Sequence, residues 1–110
     1  MKNKAQILEE LKKSLRDRFG NDIREVILFG SQAAGTAHKD SDYDILIVLR
    51  RHYDYDWKFR DRVTDIMYDT ELRHDILIDT HLISVSELGH SPRGAQPVFV
   101  NAVRHGVYVK

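Results

Sequence analysis

The 110-residue sequence contains no cysteine, so disulfide bonds, zinc–thiolate sites and thiol chemistry are excluded. It also lacks any apolar run near the roughly 18 residues that a membrane span needs. The sequence also has no net charge of either sign, because 17 Lys and Arg residues balance 17 Asp and Glu residues. Attraction of the whole molecule to nucleic acid or anionic lipid is therefore not expected. The N-terminus leads into a charged helical pattern, so we expect no signal peptide and a cytoplasmic protein.

The length and composition predict one small globular domain over residues 1–110. Periodic apolar positions favour helices and strands in the order α-β-β-α-β-α. The predicted helices lie between Asn3 and Gly20, over 54–72 and from 98 to Gly106, and the predicted strands lie at 25–29, 43–49 and 75–85. Residues 32–41 and 86–97 are predicted to form turns and loops, with one helical turn after Gly30. This order is typical of an α/β (α+β) fold with helices packed against a mixed sheet.

The most informative motif is Gly30-Ser31, ten further residues, and then Asp42-Tyr43-Asp44. Side chains alternate along a strand, so Asp42 and Asp44 project from the same face. Two such carboxylates repel each other unless a cation lies between them, and Mg²⁺ prefers oxygen ligands. Gly30 allows the backbone to approach a ligand closely, and Ser31 with free N–H groups would face an anion. Together these features predict transfer of a nucleotidyl or phosphoryl group from a metal–nucleoside triphosphate.

A third carboxylate would complete a two-metal site, and the third predicted strand offers two candidates. Asp75 and Asp79 are four residues apart and would share one face of that strand. Asp79 lies inside an apolar run, where a buried carboxylate needs a cation or another partner. Asp75 lies at the strand entrance, where solvent can satisfy it. The sequence therefore favours Asp79 as the third acid.

These motifs resemble the minimal nucleotidyltransferase family, whose members belong to the DNA polymerase beta-like superfamily. The resemblance includes Gly35 after the serine and Ser41 before the first aspartate, and it extends to residues 78–83 and 101–107. It implies a polymerase beta-like nucleotidyltransferase fold, with a short mixed β-sheet flanked by helices. One departure is Gln32, because many members carry Arg after the serine, and this puts one phosphate contact in doubt.

The resemblance also implies an activity. Asp42, Asp44 and Asp79 would be the catalytic carboxylates that hold two Mg²⁺ ions, and Gly30 and Ser31 would hold the β- and γ-phosphates of ATP. Members of toxin–antitoxin pairs transfer AMP to a tyrosine of a partner HEPN ribonuclease toxin, which silences it. The resemblance thus implies an adenylyltransferase antitoxin that assembles with its toxin. The balanced charge argues against a nucleic acid as the direct acceptor, and the lack of a long apolar run argues against a membrane partner.

Two alternative functions stay open at this point. A binding-only antitoxin would cover its toxin sterically, with the aromatic segment 53–59 as an anchor. Transfer to a small molecule or RNA is the other, although 110 residues leave little room for an acceptor domain.

Several other residues are candidates for a role at the site. His81 shares the strand face of Asp79 and is a candidate for a supporting role, and Arg50 and Arg51 are expected beside the site. His38 and Lys39, in the loop before Asp42, could reach a phosphate, although a solvated loop is the simpler interpretation.

Overall fold

The computed structural model describes residues 3–35, 42–51 and 56–110, apart from the side chain of His90. The elements in chain order are α1 (Lys4–Phe19), β1 (Ile23–Phe29), α2 (Gly30–Ala34), β2 (Tyr43–Leu49), α3 (Trp57–His74), β3 (Ile78–Ser84), α4 (Val85–His90), α5 (Pro97–His105) and β4 (Val107–Tyr108). Short 3-10 turns lie at Gly20–Asp22 and Arg93–Ala95. Within the described ranges, every helix is too short or too polar to span a bilayer.

The four strands form one mixed sheet in the order β3-β2-β1-β4. β1 pairs antiparallel with β2 and with β4, whereas β2 and β3 run parallel. Parallel neighbours need a long crossover, and α3 supplies it. Because β1 runs opposite to β2 and β3, the end of β1 and the starts of the other two strands meet at one edge of the sheet. We call this the site edge.

Helices pack on both faces of the sheet, as the alternation of side chains along β1 requires. One face packs against α1 and α3, and its buried residues include Leu8, Leu11, Leu15, Val26, Leu28, Ile45, Ile47, Phe59, Val63 and Met67. The other face packs against α5, and its buried residues are Ile27, Phe29, Leu46, Val48, Ile83, Phe99 and Ala102. The central strand β2 is apolar on both faces for this reason. The predicted mixed sheet with flanking helices is confirmed.

The first helix begins and ends where the sequence predicts. Asn3 accepts a hydrogen bond from the Gln6 backbone N–H, and the Gln6 side chain accepts one from the Asn3 N–H, which forms a capping box. Gly20 ends the helix with a positive φ of 59°.

Two predictions on the second half of the chain are wrong. The third strand begins at Ile78 rather than at residue 75, because Asp75 is the C-cap of α3 with a left-handed φ of 53°. Asp75 and Asp79 therefore do not share a strand face. The predicted turn from residue 86 is instead the helix α4, and the two-residue strand β4 was not predicted.

Gly106 fixes the end of α5 against the sheet. A Cβ at this position would overlap with the Ile27 side chain and with the carbonyl oxygen of Ala102. Its backbone N–H also donates to the Ala102 carbonyl at 2.9 Å. The last turn of α5 is thereby held close to the end of β1.

A buried carboxylate joins β3 to α4. Glu87 accepts hydrogen bonds from the N–H and hydroxyl of Ser84, both at 3.0 Å, and from the Arg93 guanidinium at 3.2 Å. Arg93 also donates to the Leu82 carbonyl at 2.7 Å. Burial alone would raise the pKa of Glu87, but the bonds from Ser84 and the charge of Arg93 outweigh it and hold the pKa below its ordinary value.

We expect the Glu87 network to make the fold sensitive to acid. A lowered pKa means that its stabilisation is present above the ordinary value of 4.5 and is lost as pH falls through the lower folded value. Glu87→Gln should reduce the free energy of unfolding at pH 7 by about 1–3 kcal/mol, because it weakens bonds to buried groups. Urea unfolding of both proteins from pH 7 to pH 3 measures this. Equal pH dependence in the two proteins would contradict it.

Candidate active site

A glycine connects β1 to α2 at the site edge. Gly30 has a φ of +74°, a conformation that side chains disfavour. A Cβ on this residue would overlap with the Oδ2 atom of Asp44. Glycine is therefore required both by the backbone conformation and by the approach of the carboxylate.

The strand register brings two predicted carboxylates together. Asp44 pairs with Phe29, the last residue of β1, and lies beside Asp79 in the parallel partner β3. Neighbouring residues in register project from the same face of the sheet, so both carboxylates face the same space. Asp42 precedes β2 by one residue and is exposed. The structure thus places all three predicted acids at the site edge, at the start of two adjacent strands.

Histidine completes this group. The Nε2 atom of His81 lies 3.3 Å from Oδ2 of Asp79, and one ligand atom each from Asp44, Asp79 and His81 lie within 4.8 Å of one another. The His81 ring also contacts Phe29, with ring centroids 5.5 Å apart. His81 therefore has the position expected of a residue that orients Asp79.

The expectation that Asp79 is buried is wrong. Its side chain is 57% exposed, although it follows an apolar residue, because the start of β3 lies at the open edge of the sheet. A carboxylate there is open to a metal ion and to a substrate.

The electrostatics of the group suit a divalent cation. Burial raises the pKa of Asp44, and the neighbouring charges of Asp79 and Asp42 raise it further, while His81 opposes them. Carboxylate oxygens are the ligands that Mg²⁺ prefers, whereas an imidazole suits transition metals better. The three carboxylates therefore fit Mg²⁺, with His81 in a supporting position.

We expect the raised pKa of Asp44 to lower the stability of the metal-free protein at neutral pH. A raised pKa means that the contribution of Asp44 to stability is present below its ordinary value of 3.8 and is lost as pH rises through the higher folded value. Metal-free Asp44→Asn should therefore be more stable than the original protein at pH 7, with the difference vanishing near pH 4. Thermal unfolding in EDTA measures this. A less stable variant at pH 7 would contradict it.

Ser31 lies beside a cavity rather than in the core. An open cavity of about 330 Å³ is lined by Phe29, Gly30, Ser31, Ala33, Ala34, Asn101 and His105. The side chain of Gln32 is buried, while its carbonyl accepts a hydrogen bond from Lys4 Nζ at 2.7 Å. The phosphate contact that an Arg would offer at position 32 is therefore not replaced by Gln32.

The structure also brings two residues to this cavity that the sequence did not single out. Asn101 and His105 lie on α5, four residues apart and thus on one face of that helix. Their spacing of four residues in a mainly apolar helix was the available signal.

Other candidates lie elsewhere. Asp75 is exposed at the end of α3, outside the strand. The expectation that Arg50 and Arg51 lie beside the site is wrong, because they follow the far end of the seven-residue β2, about 20 Å from the site edge. Arg50 Nε instead donates to the Asn21 carbonyl at 2.9 Å, and Arg51 lies 3.7 Å from Asp22.

The two described aromatic residues of segment 53–59 differ in their burial. Phe59 is buried and its ring centroid lies 4.8 Å from that of Phe19, so it serves helix packing. Trp57 is exposed at the start of α3. The candidates His38, Lys39, Ser41, Tyr53 and Tyr55 lie outside the described residues.

Comparison with known proteins agrees with this geometry. Residues 8–90 match a family model described as a nucleotidyltransferase domain. This range contains the Gly30-Ser31 turn and all three candidate acids, whereas α5 lies beyond it.

Relatives with assigned names point in the same direction. A "Putative protein adenylyltransferase" of Methanocaldococcus jannaschii is 35% identical over 86 residues, which cover 74% of this chain and 56% of that protein. The "Protein adenylyltransferase MntA" of Thermococcus cleftensis is 54% identical over 41 residues, or 37% of this chain and 39% of that protein. The chain thus spans about half, or less, of the length of these two relatives.

A solved structure shares the fold. The complex of a tri-AMPylated Shewanella oneidensis HEPN toxin with an MNT antitoxin matches 96% of this chain and 71% of the matched chain. The TM-score is 0.55 at 20% sequence identity. The predicted nucleotidyltransferase fold is confirmed.

Proposed function

Since the chain belongs to the nucleotidyltransferase domain family, we propose that it is a Mg²⁺-dependent protein adenylyltransferase acting as an antitoxin. It transfers AMP from ATP to a tyrosine hydroxyl of a partner HEPN toxin. The observation that carries this proposal is the register of Asp44 beside Asp79, directly across from the Gly30 turn. That arrangement places carboxylates for a metal next to a backbone that a polyphosphate can approach.

Each residue of the site has a role in this reaction. Asp42 and Asp44 would hold both metal ions, and Asp79 would hold the second ion and orient the acceptor hydroxyl. Gly30 and Ser31 receive the β- and γ-phosphates. His81, whose Nε2 lies 3.3 Å from Asp79 Oδ2, would orient that carboxylate. When bound, two Mg²⁺ ions would supply stabilisation of the negative charge that develops on the phosphates.

The reaction is an in-line displacement at the α-phosphorus. The acceptor oxygen forms a bond to this atom while the bond from the α-phosphorus to the bridging oxygen breaks. The electron pair of the broken bond leaves with pyrophosphate, and the proton of the acceptor hydroxyl passes to the exposed carboxylate of Asp79.

The acceptor belongs on a second chain in this proposal. We treat residues 1–110 as one nucleotidyltransferase domain that binds the nucleotide, and a separate protein supplies the acceptor hydroxyl. The names of both relatives support a protein as acceptor, and the AMPylated toxin of the matched complex supports a HEPN protein.

Incubation with a candidate HEPN toxin, Mg²⁺ and ATP labelled at the α-phosphate tests the proposal. We expect label on the HEPN protein, none in EDTA, and none when the acceptor tyrosine is replaced by phenylalanine. An unlabelled HEPN protein in the presence of active controls would refute the catalytic proposal.

A second candidate is a binding-only antitoxin, which one surface favours. Trp57, Tyr68 and Leu72 are 67%, 59% and 65% exposed on the outer face of α3. Aromatic residues are enriched in protein interfaces, so this face suits contact with a partner chain. An Asp44→Asn/Asp79→Asn variant that still neutralises the toxin in cells would favour this candidate over catalysis.

A further inference from the structure

The cavity beside the Gly30-Ser31 turn extends away from the carboxylates. Asp44 and Asp79 lie on β2 and β3, on one side of Gly30 in the order of the sheet. The cavity lies on the α5 side, where Asn101 and His105 contribute to its lining. Gly106 holds the end of α5 against β1, so the position of these two side chains relative to Gly30 is fixed by the fold.

The direction of the nucleotide follows from this layout and rests on the proposed function. The α-phosphorus must lie at the carboxylates, and the β-phosphate lies over Gly30. The nucleoside is attached to the α-phosphate and therefore leaves on the carboxylate side. The part of ATP that enters the cavity beyond Ser31 is therefore its terminal phosphate.

The hydrogen-bond donors that line the cavity support the same assignment. All five residues of α2 are uncharged, and Ala33 and Ala34, which also line the cavity, have no polar side-chain atom. The buried side chain of Gln32 does not line it. Ser31 is the one α2 residue lining the cavity whose side chain is a hydrogen-bond donor, so a terminal phosphate bound here needs further donors from another element, because phosphate oxygens accept strong hydrogen bonds. The Asn101 amide and a His105 ring N–H are such donors, on one face of α5.

We infer that Asn101 and His105 form a subsite for the terminal phosphate of the triphosphate, and so bind the pyrophosphate that leaves. The site selects a triphosphate over a diphosphate or monophosphate. Because α2 has no charged side chain, these hydrogen-bond donors come from α5, which lies beyond the matched residues 8–90.

The test measures binding of ATP, ADP, AMP and inorganic pyrophosphate to the full chain with Mg²⁺ by calorimetry. We expect Asn101→Ala/His105→Ala to weaken binding of ATP and pyrophosphate by tenfold or more, that of ADP less, and that of AMP not at all. Arg104→Ala is the matched control, because Arg104 is an exposed basic residue of the same helix that does not line this cavity.

The outcomes separate this inference from the proposed function. Equal weakening of ATP, ADP and AMP would place the nucleoside in the cavity and overturn the inference. Unchanged binding of all four would overturn it as well, provided that Asp44→Asn still reduces ATP binding, in which case the proposed function stands. If the original protein does not bind ATP at all, both fail. Both side chains are exposed or at the cavity surface, and thermal unfolding confirms that each variant folds.

Discussion

Asp44→Asn should reduce the rate of AMP transfer by on the order of 10³-fold. Asp44 is the innermost acid of the group, lying opposite the end of β1 and beside Asp79. Its amide replacement removes the negative charge of this proposed metal ligand without changing the size of the side chain. Metal stabilisation of a phosphoryl transition state contributes several kcal/mol, and each 1.36 kcal/mol corresponds to a tenfold change in rate. Pyrophosphate release with the HEPN protein as acceptor measures this.

Asp75→Asn is the matched control for this change. It makes the same chemical substitution at the alternative acid, which caps α3 with a left-handed φ that Asn also adopts readily. We expect transfer within about twofold of the original rate, because surface substitutions away from special features change little. Comparable losses in both variants would show that the acidic group at the site edge has no special role.

Gly30→Ala should reduce transfer by about 100-fold or more. The added methyl group would overlap with Asp44 Oδ2, and it would also strain a backbone with a φ of +74°. Either the carboxylate or the turn must then move, and a displacement of about 1 Å at a reacting centre costs on the order of 10²-fold. The expected signature is a fall in kcat together with weaker ATP binding.

Gly35→Ala separates strain from the contact with Asp44. Gly35 has almost the same φ, +75°, but a Cβ there meets no atom within 4 Å. It should lose about 1 kcal/mol of stability from the left-handed backbone and keep most of its activity. If both glycine variants lose activity equally, the close approach between the Gly30 backbone and Asp44 does not explain the loss of activity in Gly30→Ala.

The local patterns of the sequence were sufficient for the elements that build the site. The helical spacing of Leu8, Leu11 and Leu15 specified α1, and the buried run over 43–49 specified the central strand. The period of two in β2 placed Asp42 and Asp44 on one face, and the structure keeps both at the site edge. Gly30 was predicted to let a ligand approach the backbone, and the structure shows a further reason for glycine at this position, which is the close approach of the Asp44 carboxylate.

Features that depend on the pairing of distant segments could not be predicted. The sequence does not state that β1 runs antiparallel to β2, and this pairing is what brings Gly30 to the same end of the sheet as Asp44. The left-handed conformation of Asp75 separates it from β3 although the residue pattern is continuous. Likewise, Asn101 and His105 join the cavity only because Gly106 packs on Ile27.

Intact mass spectrometry of the HEPN protein tests the central claim most directly. The HEPN protein is isolated after co-expression with the original chain or with Asp44→Asn. The account predicts a gain of one or more AMP units on a tyrosine with the original chain and none with the variant. A HEPN protein that is neutralised in cells yet carries no added AMP would contradict catalysis by the acids at the site edge.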